Sequence, residues 1–401
     1  MTIDGRIIPP RMSTPPKVEP QASHKARRRL RNFWARVTEG LEISQLWGQL
    51  KSEAKESYGL YSKEVDWEAI GRQKKKWKRP FLAAWALFQA MLMKLSPARR
   101  VLLLIAVFLL LFQPDMRSAR GDVTLQLGWL GALLLFVLLA LELADRVTMK
   151  RDLEIAREIQ QWLVPARPPV VSGLDIAFAT RPQNTVAGDY YDAFLRPSLS
   201  GDSGAGALLL AVADVAGKSV PAAILMATFQ ASLRALAATP VSLDEIVAGL
   251  ERYARAHSLE GLRFTTAFLA QIPAGSQAMQ YVNAGHNDPI LRRASGKIER
   301  LGTGGPPFGL PLFTEKEIPY LLGSVQLQPG DLLFVFTDGL VEAVNEAGEE
   351  YGEARLLMCL QSGSPETAAD TLKRVMADVN AFVGYSRQHD DITCLVLRVS
   401  T

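Results

Sequence analysis

The chain has 401 residues, enough for two or three domains, with 45 Lys and Arg against 41 Asp and Glu and a formal charge of +4. That average belongs to no single region: Lys and Arg crowd Lys25–Arg31 and Arg72–Arg79, residues 101–144 are almost wholly apolar, and the charges of interest beyond them are acidic. Two cysteines, Cys359 and Cys394, exclude a disulfide framework and suit a reducing compartment, and four histidines without a CxxC pair exclude most structural zinc patterns.

Met1–Pro20 has no apolar stretch, so no secretory leader is expected there, and residues 1–24 read as a disordered tail. Residues 25–98 read as a basic, helical juxtamembrane region in which Phe81–Met93 can lie in a membrane interface. The same charges could meet DNA, a reading set below the membrane one because basic residues beside a membrane segment need no second explanation. A DNA-associated regulator would bind through Arg28–Lys78 with a steep salt dependence.

Residues 99–144 are expected to form a transmembrane helical hairpin. Val123–Leu141 carries no charge and matches the roughly 20 residues that cross a hydrocarbon core. Val101–Phe112 is shorter and could instead be re-entrant or buried, although Arg99 and Arg100 can snorkel at its start and Pro114–Gly121 supplies a turn. The distribution of Lys and Arg places both ends in the cytoplasm, at the inner (plasma) membrane. A linker helix follows over 145–168, as part of a helical run Glu142–Leu163 stopped by Pro165. Its Met149, Leu153, Ala156, Gln160 and Leu163 repeat every three or four residues, which suits either a parallel homodimer seam or packing on the next domain.

From Gly173, within a domain expected over 169–401, the texture is α+β. Strands are expected at Leu174–Thr180, Ala207–Ala213, Phe264–Ile272, Ala278–Asn283, Asp331–Thr337 and Ile392–Val399. Helices are expected at Ser219–Thr239, at Ser242–His257 with a Ser242/Glu245 capping box, and from about Ser364 with Pro365 in its first turn. Grouped strands and grouped helices point to sheets layered with helices, not to alternating βαβ units.

Chemistry is expected where strands stop. Ala207–Ala213 ends at Asp214, Leu332–Thr337 ends at Asp338-Gly339, and Asp390-Asp391 precede the last strand, while Gly188-Asp189 and Asp192 flank Tyr190-Tyr191. One Asp-Gly is usually a turn. Several carboxylates on rigid strand ends make an oxygen-only site suited to Mg²⁺ or Mn²⁺. Gly201-Asp202-Ser203-Gly204 and Gly302-Thr303-Gly304-Gly305 imitate protease and phosphate-binding turns but lack the partners those need, and read as loops.

Gly188-Asp189-Tyr190-Tyr191-Asp192, Ala213-Asp214-Val215-Ala216-Gly217-Lys218, Asn283-Ala284-Gly285-His286-Asn287, Phe336-Thr337-Asp338-Gly339 and Asp390-Asp391-Ile392-Thr393 together resemble the ordered motifs of the SpoIIE/RsbU-type phosphatases, bacterial relatives of the PP2C (PPM) enzymes. The resemblance covers about Arg151–Val399. It implies, for 169–401, a sandwich of two antiparallel sheets flanked by helices, with two Mn²⁺ or Mg²⁺ ions in a cleft at one edge. By motif, Asp214 bridges the ions with the Val215 carbonyl beside it, Asp338 and Asp390 complete the set with Asp391 adjacent, and Asp189 binds directly or through water. Water activated between the ions would attack phosphorus in line. Ala187 and Asp288 depart from the family pattern, which commonly has glycine and proline there. Arg181 is a candidate substrate contact, with a plain surface arginine as its alternative, and His286 reads as a structural loop residue. The implied activity is a protein serine/threonine phosphatase of bacterial signalling, acting on a phosphorylated STAS-domain anti-sigma-factor antagonist. The alternative is a non-catalytic membrane scaffold that binds a phosphoprotein.

Overall fold

The computed structural model describes residues 78–112, 115–117, 124–197, 206–258, 263–302, 304–310, 320–362 and 367–400, with the isolated positions 65, 67 and 70. The expected tail at 1–24, most of the basic region, the Gly201–Gly204 loop and the Ser364–Pro365 helix start lie outside these residues. The chain divides into two compact units, Met1–Glu142 and Leu143–Thr401.

The first unit contains α1 (Arg79–Lys94), α2 (Pro97–Phe112), a short antiparallel pair β1 (Asp115–Arg117) and β2 (Thr124–Gln126), and the beginning of α3 (Gly128–Leu163). The second apolar helix therefore starts at Gly128, five residues after the expected Val123, because Thr124–Gln126 pairs with Asp115–Arg117. Small residues line the contact between α2 and α3. Ala106 is fully buried, and a Cβ on Gly131 would come within 2.8 Å of the Ala106 carbonyl. Arg99 bonds Glu142 at 3.4 Å across the same pair of helices. Large apolar side chains such as Leu111 (74% exposed) and Phe136 (68%) face outward. At 16 residues, α2 is about 24 Å long, short of a hydrocarbon core of about 30 Å. Among the described residues, the helix long and apolar enough to cross a membrane is instead α4 (Ser219–Ala237). Its Ala222, Met226, Phe229 and Leu233 are buried in the core of the second unit, so its apolarity is that of a packed core helix.

The second unit is the expected two-sheet sandwich. Sheet one runs β10 (Gly323–Gln326), β7 (Ala278–Ala284), β6 (Thr265–Pro273), β5 (Ala207–Val215), β4 (Tyr190–Arg196). Sheet two runs β3 (Leu174–Arg181), β12 (Ile392–Val399), β11 (Leu332–Phe336), β8 (Ile290–Arg292), β9 (Ile298–Arg300), and every pairing in both sheets is antiparallel. Alternation along β5 explains its unbroken apolar run. Leu208, Leu210 and Val212 meet Leu333, Val335, Leu395 and Leu397 between the sheets, while Leu209, Ala211 and Ala213 pack under α4 and α5 (Leu243–Ala256). The outer face of sheet two is covered by α7 (Glu353–Gln361) and α8 (Ala368–Val383) through Leu356, Leu372 and Val375; the one-turn α6 (Asp338–Val341) sits at the end of β11. The order of layers is thus helix, sheet, sheet, helix. The Ser242/Glu245 capping box forms as expected, whereas the described part of α8 is capped by Thr367, whose hydroxyl accepts from the Asp370 amide at 3.1 Å.

Candidate active site

The strand ends bring their aspartates together at one edge of the sandwich. Asp214, the penultimate residue of β5, lies opposite Thr266 and shares the inter-sheet face of Leu210 and Val212. Asp338 opens α6 directly after β11, and Asp390-Asp391 precede β12, the strand paired with β11. Gly339 allows this approach, since a Cβ there would come within 2.0 Å of the Asp391 carbonyl oxygen. Asp189, before β4, is buried and accepts from Thr337 Oγ1 at 2.9 Å.

Crowding is visible in the proton affinities. Burial, then repulsion from Asp338, Asp390 and Asp391, pushes the Asp214 carboxyl up to about 7. Burial and the neighbouring Asp214 and Asp391 hold Asp189 well above the usual carboxylate range. Asp338 and Asp391 are raised, each mainly by burial. Glu342, one helical turn after Asp338, is raised chiefly by the Asp338 charge and so borders the same acidic field. That i to i+4 spacing from Asp338 was the signal available in the sequence.

The side chains differ in what they already hold. Asp391 is engaged through both oxygens, accepting from the Gln183 and Gly188 amides at 2.6 Å each, and so pins the loop that delivers Asp189. Asp390 faces Lys218, with Nζ 2.8 Å from Oδ2. The Val215 backbone ends β5, and a Cβ on Gly188 would stand 3.3 Å from its carbonyl oxygen, so the Asp189 loop passes close to it. Arg181 donates through Nη1 to Asn380 on α8, and burial lowers its proton affinity; the structure places it against a helix side chain. His286 is buried, with Nδ1 3.0 Å from Thr266 Oγ1, and burial pushes its imidazole down to about 4, which keeps it neutral. Its Nε2 is buried without a hydrogen-bond partner.

Parity separates Asp192 from this group. Alternation along β4 turns it to the helix side of sheet one, where it receives Arg234 through both oxygens at 2.7 and 2.8 Å and the Tyr190 hydroxyl. It ties α4 to β4. The linker end of α3 also reaches the site. Gln160 accepts from the Ala187 amide at 3.0 Å and donates to the Ala187 carbonyl at 2.7 Å. Beside it lies a groove of ≈ 120 Å³ lined by Arg157, Gln160, Thr180, Ala187, Asp189 and Tyr191. Of the stripe Met149, Leu153, Ala156, Gln160 and Leu163, the last four are half-buried and Met149 is exposed, as are Ile155, Ile159 and Trp162.

Among the described residues, no group of three or more such side chains is gathered closely enough to hold a metal ion as it stands. The chemistry of the donor set nevertheless fits a hard divalent cation: it is all oxygen, and burial followed by mutual repulsion raises the proton affinities of Asp189, Asp214 and Asp338, a load that a bound cation would relieve.

Comparison with known proteins agrees with this architecture. Residues 204–400 match the family model described as Stage II sporulation protein E (SpoIIE). Protein IcfG of Synechocystis sp. is 26% identical over 287 residues, 65% of this chain and 43% of its own length, so the chain spans less than half of that relative. The phosphoserine phosphatase RsbU of Bacillus subtilis is 25% identical over 251 residues, 62% of this chain and 70% of RsbU. The solved SiaA-PP2C domain of Pseudomonas aeruginosa superposes with a TM-score of 0.54 at 21% identity, covering 64% of this chain and 98% of that one. Residues 204–400 thus match the SpoIIE family model, and the second unit has the fold of the PP2C domain it superposes on.

Proposed function

We propose that the chain is a metal-dependent protein serine/threonine phosphatase of bacterial signalling, with Asp189, Asp214, Asp338 and Asp390 as its catalytic carboxylates. The observation that carries this reading is the convergence of these aspartates, from four separate segments, on one sandwich edge where proton affinities are raised. Asp214, the Val215 carbonyl, Asp338 and Asp390 would hold two Mn²⁺ or Mg²⁺ ions, with Asp189 and Asp391 beside them. When bound, the ions supply charge neutralisation and an activated water for in-line attack on a phosphoryl group. The chain's own residues fix the geometry. Thr337 orients Asp189, Asp391 anchors the loop before it, and Gly339 lets the two strand ends meet.

The substrate proposed is phosphoserine or phosphothreonine on a protein, for which the likeness to the phosphoserine phosphatase RsbU speaks, and the STAS-type regulatory carrier is what the motif resemblance implies. The hairpin of α2 and α3 would tether the domain to the inner membrane and its lipid, on the cytoplasmic side, a reading supported by its small interior and large apolar exterior. The linker end of α3 would influence the site through Gln160, and its exposed Ile155, Ile159 and Trp162 would meet a second copy.

The test is phosphate release from a phosphoserine-bearing STAS protein by the purified full chain with Mn²⁺. Asp214→Asn and Asp338→Asn are each expected to slow release by at least about a hundredfold. A wild type with no release would favour the non-catalytic scaffold, and release that survives both changes would overturn the assignment of these carboxylates as the source of the activity.

A further inference from the structure

Lys218 pairs with a carboxylate of the cleft. Its Nζ lies 2.8 Å from Asp390 Oδ2 and donates to the His389 carbonyl at 2.6 Å. A pair this exposed, 51% for the lysine and 37% for the aspartate, contributes little to stability. Its position is what matters. The backbone around it is constrained: Gly217 has φ +118° and Ser219, a residue with a side chain, has φ +64°. Left-handed backbone outside glycine is uncommon and persists where surrounding structure demands it. Here it follows β5 and opens α4, turning Lys218 across to the Asp390 segment.

An ammonium and a divalent cation cannot share the Asp390 oxygen without strong like-charge repulsion. A lysine has three N–H donors, and the two contacts above account for two of them. If a metal ion takes Asp390, the His389 carbonyl can still hold Nζ at the rim, with two donors turned to the cleft. We propose that Lys218 is a metal-gated phosphate contact: a built-in counter-cation that competes with the divalent ion for Asp390 and, once displaced, donates to a phosphoryl oxygen of the substrate. This rests on the phosphatase reading above and adds to it a residue for anion recognition, a role for which Arg181, turned to Asn380, is poorly placed.

The two halves of the proposal move two measurements in opposite directions. In the purified full chain, Lys218→Gln is expected to tighten Mn²⁺ binding by calorimetry about tenfold, the scale of removing one unit charge a few ångströms away at a wetted rim. In the Mn²⁺-loaded protein the same change is expected to weaken binding of inorganic phosphate about tenfold. Lys218→Arg keeps the charge and should stay close to wild type in both. Manganese affinity that is equal or weaker in Lys218→Gln, or phosphate affinity that is unchanged, overturns the proposal. Wild-type chain that binds no Mn²⁺ overturns the phosphatase reading and this inference together, whereas wild type that binds it with no response to Lys218→Gln removes the inference alone.

Discussion

The α2–α3 hairpin and the sandwich solve packing in opposite ways. Between α2 and α3 the buried groups are the smallest, Ala106 and Gly131, and the bulky Leu111, Phe112, Trp129 and Phe136 face out. In the sandwich, Phe268, Phe334, Leu208 and Leu210 fill the interior. Burial of large apolar groups is what drives a fold in water. If lipid surrounds the α2–α3 hairpin, as proposed above, that drive is missing there, and close backbone approach through small residues takes its place. The difference teaches that equal apolarity in two segments can carry opposite instructions: α4 is apolar because it is covered, and the hairpin is apolar on the side that is not.

This contrast can be broken by matched substitutions. Phe268→Ala, between the sheets, should cost the largest amount, about 3–5 kcal/mol in denaturant unfolding of the C-terminal domain's signal. Gly131→Leu places a side chain where a Cβ already comes within 2.8 Å of a carbonyl, and should cost about 1–3 kcal/mol of hairpin stability in detergent. Phe136→Ser, on the outward face, should change unfolding of the detergent-solubilised protein by less than about 0.5 kcal/mol. A large loss at Phe136 would mean that this face packs against protein.

A pH series sharpens the account of the acidic edge. Asp214 retains a proton up to about 7 when folded and gives it up near 3.8 when unfolded. Between those values the folded state binds more protons, so in chelator this group's contribution to stability falls as pH rises from about 4 to 7. Asp214→Asn removes that penalty. The variant should gain on wild type across this window by about 2–4 °C in Tm for each kcal/mol relieved, then hold level above it. A difference that is flat with pH would show that Asp214 is not crowded.

Much of this was legible in the sequence because strand-end carboxylates and glycine turns leave local marks. Asp214 and Asp338 follow buried runs that stop abruptly, and β12 and the α5 capping box lie where the pattern puts them. What escaped depends on partners distant in the chain. Strand β4 leaves no clear mark in the sequence because Tyr190–Arg196 mixes both faces, and only its pairing with β5 reveals that Asp189 and Asp192 point to different layers. Lys218 looks like any residue after a glycine until Asp390 is seen beside it, and Gln160 passes for a heptad position until it meets Ala187. The helix start at Gly128 was obscured because Thr124–Gln126 is as uncharged as the span itself.

The most direct test of the central claim is release of inorganic phosphate from a phosphoserine protein by the wild-type full chain, measured with Mn²⁺ and again after chelation. The account expects release with the ion, loss on chelation and recovery on adding the ion back. Release that continues undiminished in chelator would contradict it.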